Sequence, residues 1–354
     1  MHEKGSFAAA IICSSAKVLA TGIVERQAAR DPDSVGEYGT GAAALTMDTE
    51  VRLGYLAEAL ATDRVALLVE QLRWVKVLCS ARGVHEAAIR ANLECMVEEL
   101  QARLPEPVVD RVVAMVRLAI EQVTAAPAET PSYLEADDEH VDLARQFLLA
   151  VLETREQDAT RLVLEAFDSG ATVFQLYEGV LHRVQKEIGR MWQMGEVTIA
   201  EEHYCTGIVT TIMTIMRSHA KPAAANGRRV ITATVSNETH ALGIVLVSQA
   251  FEAKGWTAIS LGANTPAAAI ADAARDFGCD VIALSANMVL YVRQTADLIA
   301  SLRTHPATAS IPILVGGQPF NVVDDLWQVV GADGYASNAM QCPAVAERLL
   351  TSRS

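Results

Sequence analysis

The chain has 354 residues, 51% hydrophobic and 20% charged, which is enough apolar mass for two or three folded domains and too much for a disordered chain. Its 29 Lys and Arg against 43 Asp and Glu give a net charge of -14, which repels nucleic acid and anionic membrane surfaces, and no basic run offsets it. The six cysteines, Cys13, Cys79, Cys95, Cys205, Cys279 and Cys342, form no CxxC pair, which argues against a zinc module or disulfide framework and for a reducing, cytoplasmic setting.

Residues 1–47 carry Gly, Ser, Asp and Ala without sustained periodicity, and the Arg-Asp-Pro-Asp-Ser run at 30–34 followed by Gly-rich sequence predicts a mobile arm. The apolar stretch at 7–13 is too short to span a bilayer and lacks a cleavage signal, and no run reaches the roughly 18 apolar residues of a membrane helix. A soluble, unexported protein with no membrane partner is expected. Residues 48–124 have helical spacing broken at Thr62-Asp63, at Gly83 and at Pro105-Glu106-Pro107, which predicts about four helices. In the last of them Val109, Val112, Val113, Val116, Ile120 and Val123 share a face. Residues 125–139, with two prolines and an acidic run, have the composition of a linker.

A second helical block, 140–223, has breaks near Asp168-Ser169-Gly170 and Gly195 and predicts a four-helix bundle. From 228 to 352 short β-rich runs at 230–235, 257–261, 281–284, 311–315 and 334–336 alternate with helical stretches. The fold class is therefore α plus α/β: an N-terminal all-helical module, a helical cap, and a doubly wound five-stranded parallel sheet. Ligands of such sheets bind beyond the carboxyl ends of the strands. There the first run is followed by Glu238-Thr239-His240 and Gly243, the third ends on Ser285 with Asn287 close behind, and the fourth ends on Gly316-Gly317. A carboxylate two residues before a histidine can hold one ring nitrogen and so orient the other toward a metal. A strand-end hydroxyl and a glycine pair suit a slot for an elongated group.

This arrangement over residues 140–352 resembles the cobalamin-binding module, a helical cap followed by a flavodoxin-like domain, whose pattern is DxHxxG, then SxL, then GG. The resemblance implies His240 as the lower axial cobalt ligand, Glu238 as its supporting carboxylate, and Ser285, Gly316 and Gly317 as contacts for the displaced nucleotide tail. Thr239, Gly243, Asn287, Tyr335 and Ser337 complete the expected cofactor-binding set. Glu238 stands where the family has Asp, a reach longer by one methylene, and Asn287 stands where it has Leu, a more polar pocket.

In the cap, Trp192 is followed by nine residues and then Glu202-His203. This is similar to the Wx9EH signature of the light-responsive adenosylcobalamin repressors of carotenoid genes, in which the Trp packs over the adenosyl group and the Glu-His pair lines the same pocket. The resemblance implies a photoreceptor, not an enzyme, in which loss of the upper ligand alters cap packing and self-association. The position after the Trp, a cobalt-capturing His in those repressors, is Gln193 here; His203 and His182 are the substitutes in reach. The acidic N-terminal module replaces their basic helix-turn-helix, so output through an unknown protein partner, without DNA contact, is expected. The domain order also resembles the photocobilins, which pair cobalamin with a bilin such as biliverdin; the bilin contacts to be expected are Arg73, Trp74, Lys76, Cys79, His85, Arg90 and Cys95. The alternatives are a corrinoid methyl carrier of a methyltransferase system and a light-independent cobalamin-sensing adaptor.

Overall fold

The computed structural model describes residues 3–39, 41–135, 138–219 and 223–352. The chain divides into two compact units. The first contains residues 1–74, 85–126 and 222–354, and the second residues 75–84 and 127–221.

In the first unit the amino-terminal helices are α1 (Glu3–Arg30), α2 (Pro32–Gly36), α3 (Ala42–Thr62), most of α4 (Val65–Ala81), α5 (Glu86–Arg103) and α6 (Glu106–Thr124). The mobile arm expected for residues 1–47 is therefore corrected: α1 runs 28 residues and packs along α3. Its small residues are what that packing requires. A Cβ on Gly5 would collide with the Leu60 carbonyl, and one on Gly22 with the Glu99 carboxylate. The Asp31-Pro32 pair is a helix start, with the Asp31 side chain accepting from the Ser34 N–H and Pro at the first helical position. By length and composition α1 would also suffice to cross a membrane, contrary to the sequence expectation, yet 44% of that stretch is buried within the fold. The breaks at Asp63, Gly83 and Pro105 fall as expected, the first two with left-handed backbone at φ 57° and 77°.

Five strands follow, β1 (Arg229–Thr234), β2 (Thr257–Gly262), β3 (Val281–Ser285), β4 (Ile313–Gly316) and β5 (Gly334–Tyr335), all parallel in the order β2-β1-β3-β4-β5. Helices α12 (Leu242–Glu252), α13 (Ala267–Phe277), α14 (Val292–Thr304), α15 (Gln318–Val322), α16 (Leu326–Val329) and α17 (Cys342–Thr351) connect or flank them. Strands β1, β3 and β4 are buried along nearly their whole length, as a sheet covered on both sides demands, while the edge strand β2 is partly exposed. Val230, Val281, Ala283 and Leu314 pack with Phe251, Trp256 and Val345 in one core. The order reverses between β1 and β3, so the crevice for a ligand lies beyond the ends of those two strands.

The amino-terminal helices are not a separate module but part of this unit. Glu58 of α3 accepts from the backbone N–H of Arg293 at 2.8 Å and from its Nε at 2.9 Å, Gly54 faces Leu290, and Arg64 pairs with Asp325.

The second unit holds α7 (Val141–Leu152), α8 (Glu156–Asp168), α9 (Val173–Leu176), a π-helical turn (Tyr177–Leu181), α10 (His182–Gln193) and α11 (Ile199–His219). Since α9, the π turn and α10 are continuous, these are the four helices expected for the cap. Residues of the expected linker are strapped to it: Glu187, 3% exposed, accepts from the Ser132 hydroxyl at 3.0 Å and the Tyr133 N–H at 2.8 Å. The division of the units falls within α4, whose last turns group with this bundle.

Candidate cofactor site

The strand ends place the predicted residues in one row. Thr234 is in register with Ser285, and Ser285 with Gly316, while Tyr335 pairs with Val315. Beyond this row the loop after β1 turns through Asn237 in the left-handed region, φ 63°. Two residues the sequence reading missed shape that loop. Thr234 donates its hydroxyl to the Glu238 carbonyl at 2.8 Å, and Asn264 accepts from the Asn237 N–H at 2.7 Å.

Glu238 is fully buried and every contact it makes serves one purpose. One carboxylate oxygen lies 2.5 Å from His240 Nδ1 and accepts the His240 backbone N–H at 2.9 Å. The other accepts the N–H groups of Asn287 and Met288, beyond β3, at 2.7 and 3.1 Å. The methylene gained over Asp thus lets one carboxylate bridge both sides of the crevice. Burial alone would push the Glu238 carboxyl upward, but the bonds from the His240 ring and from the His240 and Asn287 N–H groups hold it below the usual range. An ionised carboxylate only accepts, so Nδ1 carries a proton and Nε2 is turned away from Glu238, on a ring 55% exposed. This donor set fits cobalt ligation by one neutral imidazole. Among the described residues no group of three or more His, Cys, Asp or Glu could hold a metal by itself.

The other predicted contacts divide. A Cβ on Gly243 would meet open space, so packing within the chain does not require this glycine. Thr239 and Asn287 are exposed, and Ser285 is half-buried at its strand end. Tyr335 donates its hydroxyl to Asn321, whose amide donates to the Ser337 carbonyl at 3.3 Å, and the Ser337 hydroxyl donates to Gln341 at 3.1 Å. Asn321 and Gln341 are members of this polar edge that sequence motifs did not reveal. Gly317 has a packing reason of its own: at φ 115°, its Cβ would enter the Ala286 carbonyl, so the glycine is required where the chain passes between β3 and β4. Gly316 is constrained less, its Cβ standing 3.2 Å from the Ala336 carbonyl.

Within the helical unit, Trp192 is half-buried near the end of α10, and the guanidinium of Arg82 lies 5.8 Å above its ring. Arg82 also donates to the Leu78 carbonyl at 3.1 Å and the Gln193 carbonyl at 3.0 Å. Glu202 accepts from Thr206 at 3.0 Å and lies 2.6 Å from His203 Nδ1; Thr206 in turn reaches Gln185 at 3.0 Å. Gln185 and Trp192 are two turns apart on one face of α10, and Glu202 and Thr206 one turn apart on α11, so the Gln185–Thr206 contact turns both faces to the same seam. Gln193 is buried, His203 exposed, and His182 stacks on Tyr177 with Glu178 3.1 Å from its Nδ1.

Of the expected bilin contacts, Arg73, Trp74, His85 and Arg90 are exposed, with His85 paired to Glu37 and Arg90 to Glu94, while Lys76, Cys79 and Cys95 are buried. Burial raises the Cys95 thiol, as in a small core residue.

Residues 228–342 match the B12 binding domain family, and residues 143–217 match a second family also described as a B12 binding domain. Residues 143–342 of the chain thus carry a cobalamin-binding region in two parts. It is similar to the dimethylamine corrinoid protein 1 of Methanosarcina acetivorans, 23% identical over 208 residues, 58% of this chain and 96% of that protein. It is similar to the HTH-type transcriptional repressor CarA of Myxococcus xanthus as well, 24% identical over 255 residues, 69% of this chain and 85% of the repressor. Among solved structures, the Methanosarcina barkeri monomethylamine corrinoid protein aligns with a TM-score of 0.49 at 19% identity, covering 60% of this chain and all of that one. In this cobalamin-binding protein the Glu238–His240 pair occupies the switch point of the sheet, where the ligand of a doubly wound domain is held.

Proposed function

We propose that this protein is a light sensor that holds adenosylcobalamin through His240 and reports loss of the upper ligand by a change in self-association. The observation that carries the reading is the seam of the helical unit, where Trp192 and the Glu202–His203 pair are ordered by Arg82 and by Thr206 with Gln185. An indole face and a carboxylate acceptor suit a purine and its ribose hydroxyls, whereas a methyl group offers neither surface nor donors. Adenosylcobalamin, when bound, supplies a cobalt–carbon bond that visible light breaks. Glu238 fixes the His240 tautomer, and Trp192 and Glu202 hold the upper ligand. Release of that ligand removes their contacts, which shifts the balance between arrangements of the helical unit. The protein acts as a cytoplasmic sensor without catalytic activity, its output passing to a protein partner, and biliverdin is its second chromophore.

The full chain loaded with adenosylcobalamin in the dark tests this by size-exclusion chromatography before and after green illumination. A shift in apparent mass on illumination, reduced in W192A, is expected; identical elution in both states refutes the sensor. A methyl carrier is the second reading, favoured by the similarity to the dimethylamine corrinoid proteins, and it predicts methyl exchange with a corrinoid methyltransferase and no change of mass.

A further inference from the structure

The interior of the amino-terminal helices contains a polar chain that ends on a guanidinium with two orphaned donors. Ser34, Gln27, Asn92, Thr49 and Arg52 are 4%, 0%, 0%, 0% and 2% exposed, on α2, α1, α5 and α3. Gln27 donates to the Ser34 hydroxyl at 3.1 Å and the Ala88 carbonyl at 3.2 Å. The Asn92 amide donates to Gln27 at 3.0 Å and Thr49 at 3.2 Å, and its oxygen accepts from Arg52 Nη1 at 2.6 Å. Every amide group in the chain is thereby used. Among the described residues Arg52 Nε and Nη2 are buried without a hydrogen-bond partner, and no carboxylate belongs to the network.

A guanidinium cannot shed its charge by losing a proton, and a buried ion without a partner is costly, so two orphaned donors here call for an anion. Their geometry selects its kind. Nε and Nη2 form the side edge of the guanidinium, two parallel N–H groups spaced for the two oxygens of one carboxylate. Asn92 holds Nη1 and so fixes the plane of that fork.

We infer that Arg52 is the anchor of a buried carboxylate-binding site in the amino-terminal helices, taking a ligand through a bidentate carboxylate. The ligand is either a small free carboxylate or the carboxylate arm of a larger molecule such as a tetrapyrrole. The tetrapyrrole alternative rests on the proposed biliverdin chromophore, whereas the free-carboxylate alternative does not; neither involves the His240 loop or the Trp192 seam.

The test uses the full chain loaded with cobalamin and kept dark. Thermal unfolding is followed in sodium acetate and in sodium chloride at matched ionic strength, and in a separate arm with biliverdin, whose uptake is read from its red absorption. A midpoint that rises with acetate or with biliverdin, but not with chloride, is expected, and the responding arm identifies the source. R52M abolishes the response; R52K, which keeps the charge but loses the fork, weakens apparent affinity by about tenfold or more. R52M without ligand unfolds at a higher temperature than the wild type, because an uncompensated charge has been removed. Equal responses to acetate and chloride with none to biliverdin overturn the inference. So does an R52K response equal to that of the wild type, which keeps the test decisive if R52M does not fold.

Discussion

At the scale of single residues, the centre of the site is Glu238, whose two oxygens tie the His240 ring to the N–H groups beyond β3. The pair was legible because its members stand two apart in sequence. Its far partners were not, since backbone N–H groups leave no residue-type signature. E238A strands the amides of Asn287 and Met288 and frees the ring, at about 1–3 kcal/mol for each buried group left unpaired. Urea denaturation of the cobalamin-free chain measures this, and a midpoint equal to the wild type counts against the bridging role. Gly317 shows the opposite case, a motif residue whose sequence rationale concerned a ligand while its structural rationale is the Ala286 carbonyl. G317A combines that collision with a backbone at φ 115° and should cost about 1–3 kcal/mol or more even without cobalamin. If the variant loses only cofactor affinity and keeps its full stability, the packing explanation is wrong.

At the scale of elements, every strand was visible within two residues of its ends, because short β-branched runs bounded by helical stretches leave few alternatives. Helix α1 was not. A helix in which Ala, Ser and Gly are 12 of 28 residues has little contrast between its faces, and small residues that permit close approach look, in composition, like a flexible arm. The seam of the helical unit was half legible: Trp192, Glu202 and His203 were found by spacing, but Arg82 comes from the turn after α4, 110 residues earlier, and long-range partners leave no local pattern. The Arg82–Trp192 contact can be measured directly. A double-mutant cycle of R82A and W192A should return a coupling of about 0.5–1 kcal/mol in denaturation free energy. A coupling indistinguishable from zero would mean that Arg82 acts only through the Leu78 and Gln193 carbonyls.

At the scale of the whole molecule, the amino-terminal helices belong to the same compact unit as the sheet, a grouping that composition and linkers could not foretell. The junction is small and specific. Glu58, 2% exposed, caps the start of α14 through the Arg293 N–H, and the chain that leads into α14 is the one whose Asn287 and Met288 amides hold Glu238. The groups around Glu58 are Arg293, which also reaches Cys13 of α1, and Asp297. Burial pushes the Glu58 carboxyl up to about 7, with Arg293 opposing and Asp297 assisting. Because this acid titrates higher in the folded chain than its ordinary value of 4.5, the folded state keeps a proton that the unfolded state has lost. Stability is therefore greatest below that ordinary value and falls as pH rises toward about 7, by on the order of 3 kcal/mol if Glu58 acts alone. Glutamine retains the shape and cannot titrate, so E58Q should flatten this part of the profile and gain on the wild type at about pH 8 relative to about pH 5. Urea denaturation of both chains across that range decides the matter: parallel slopes would show that the junction between α3 and α14 carries no titrating group, whereas a slope lost only in the variant locates the proton on Glu58.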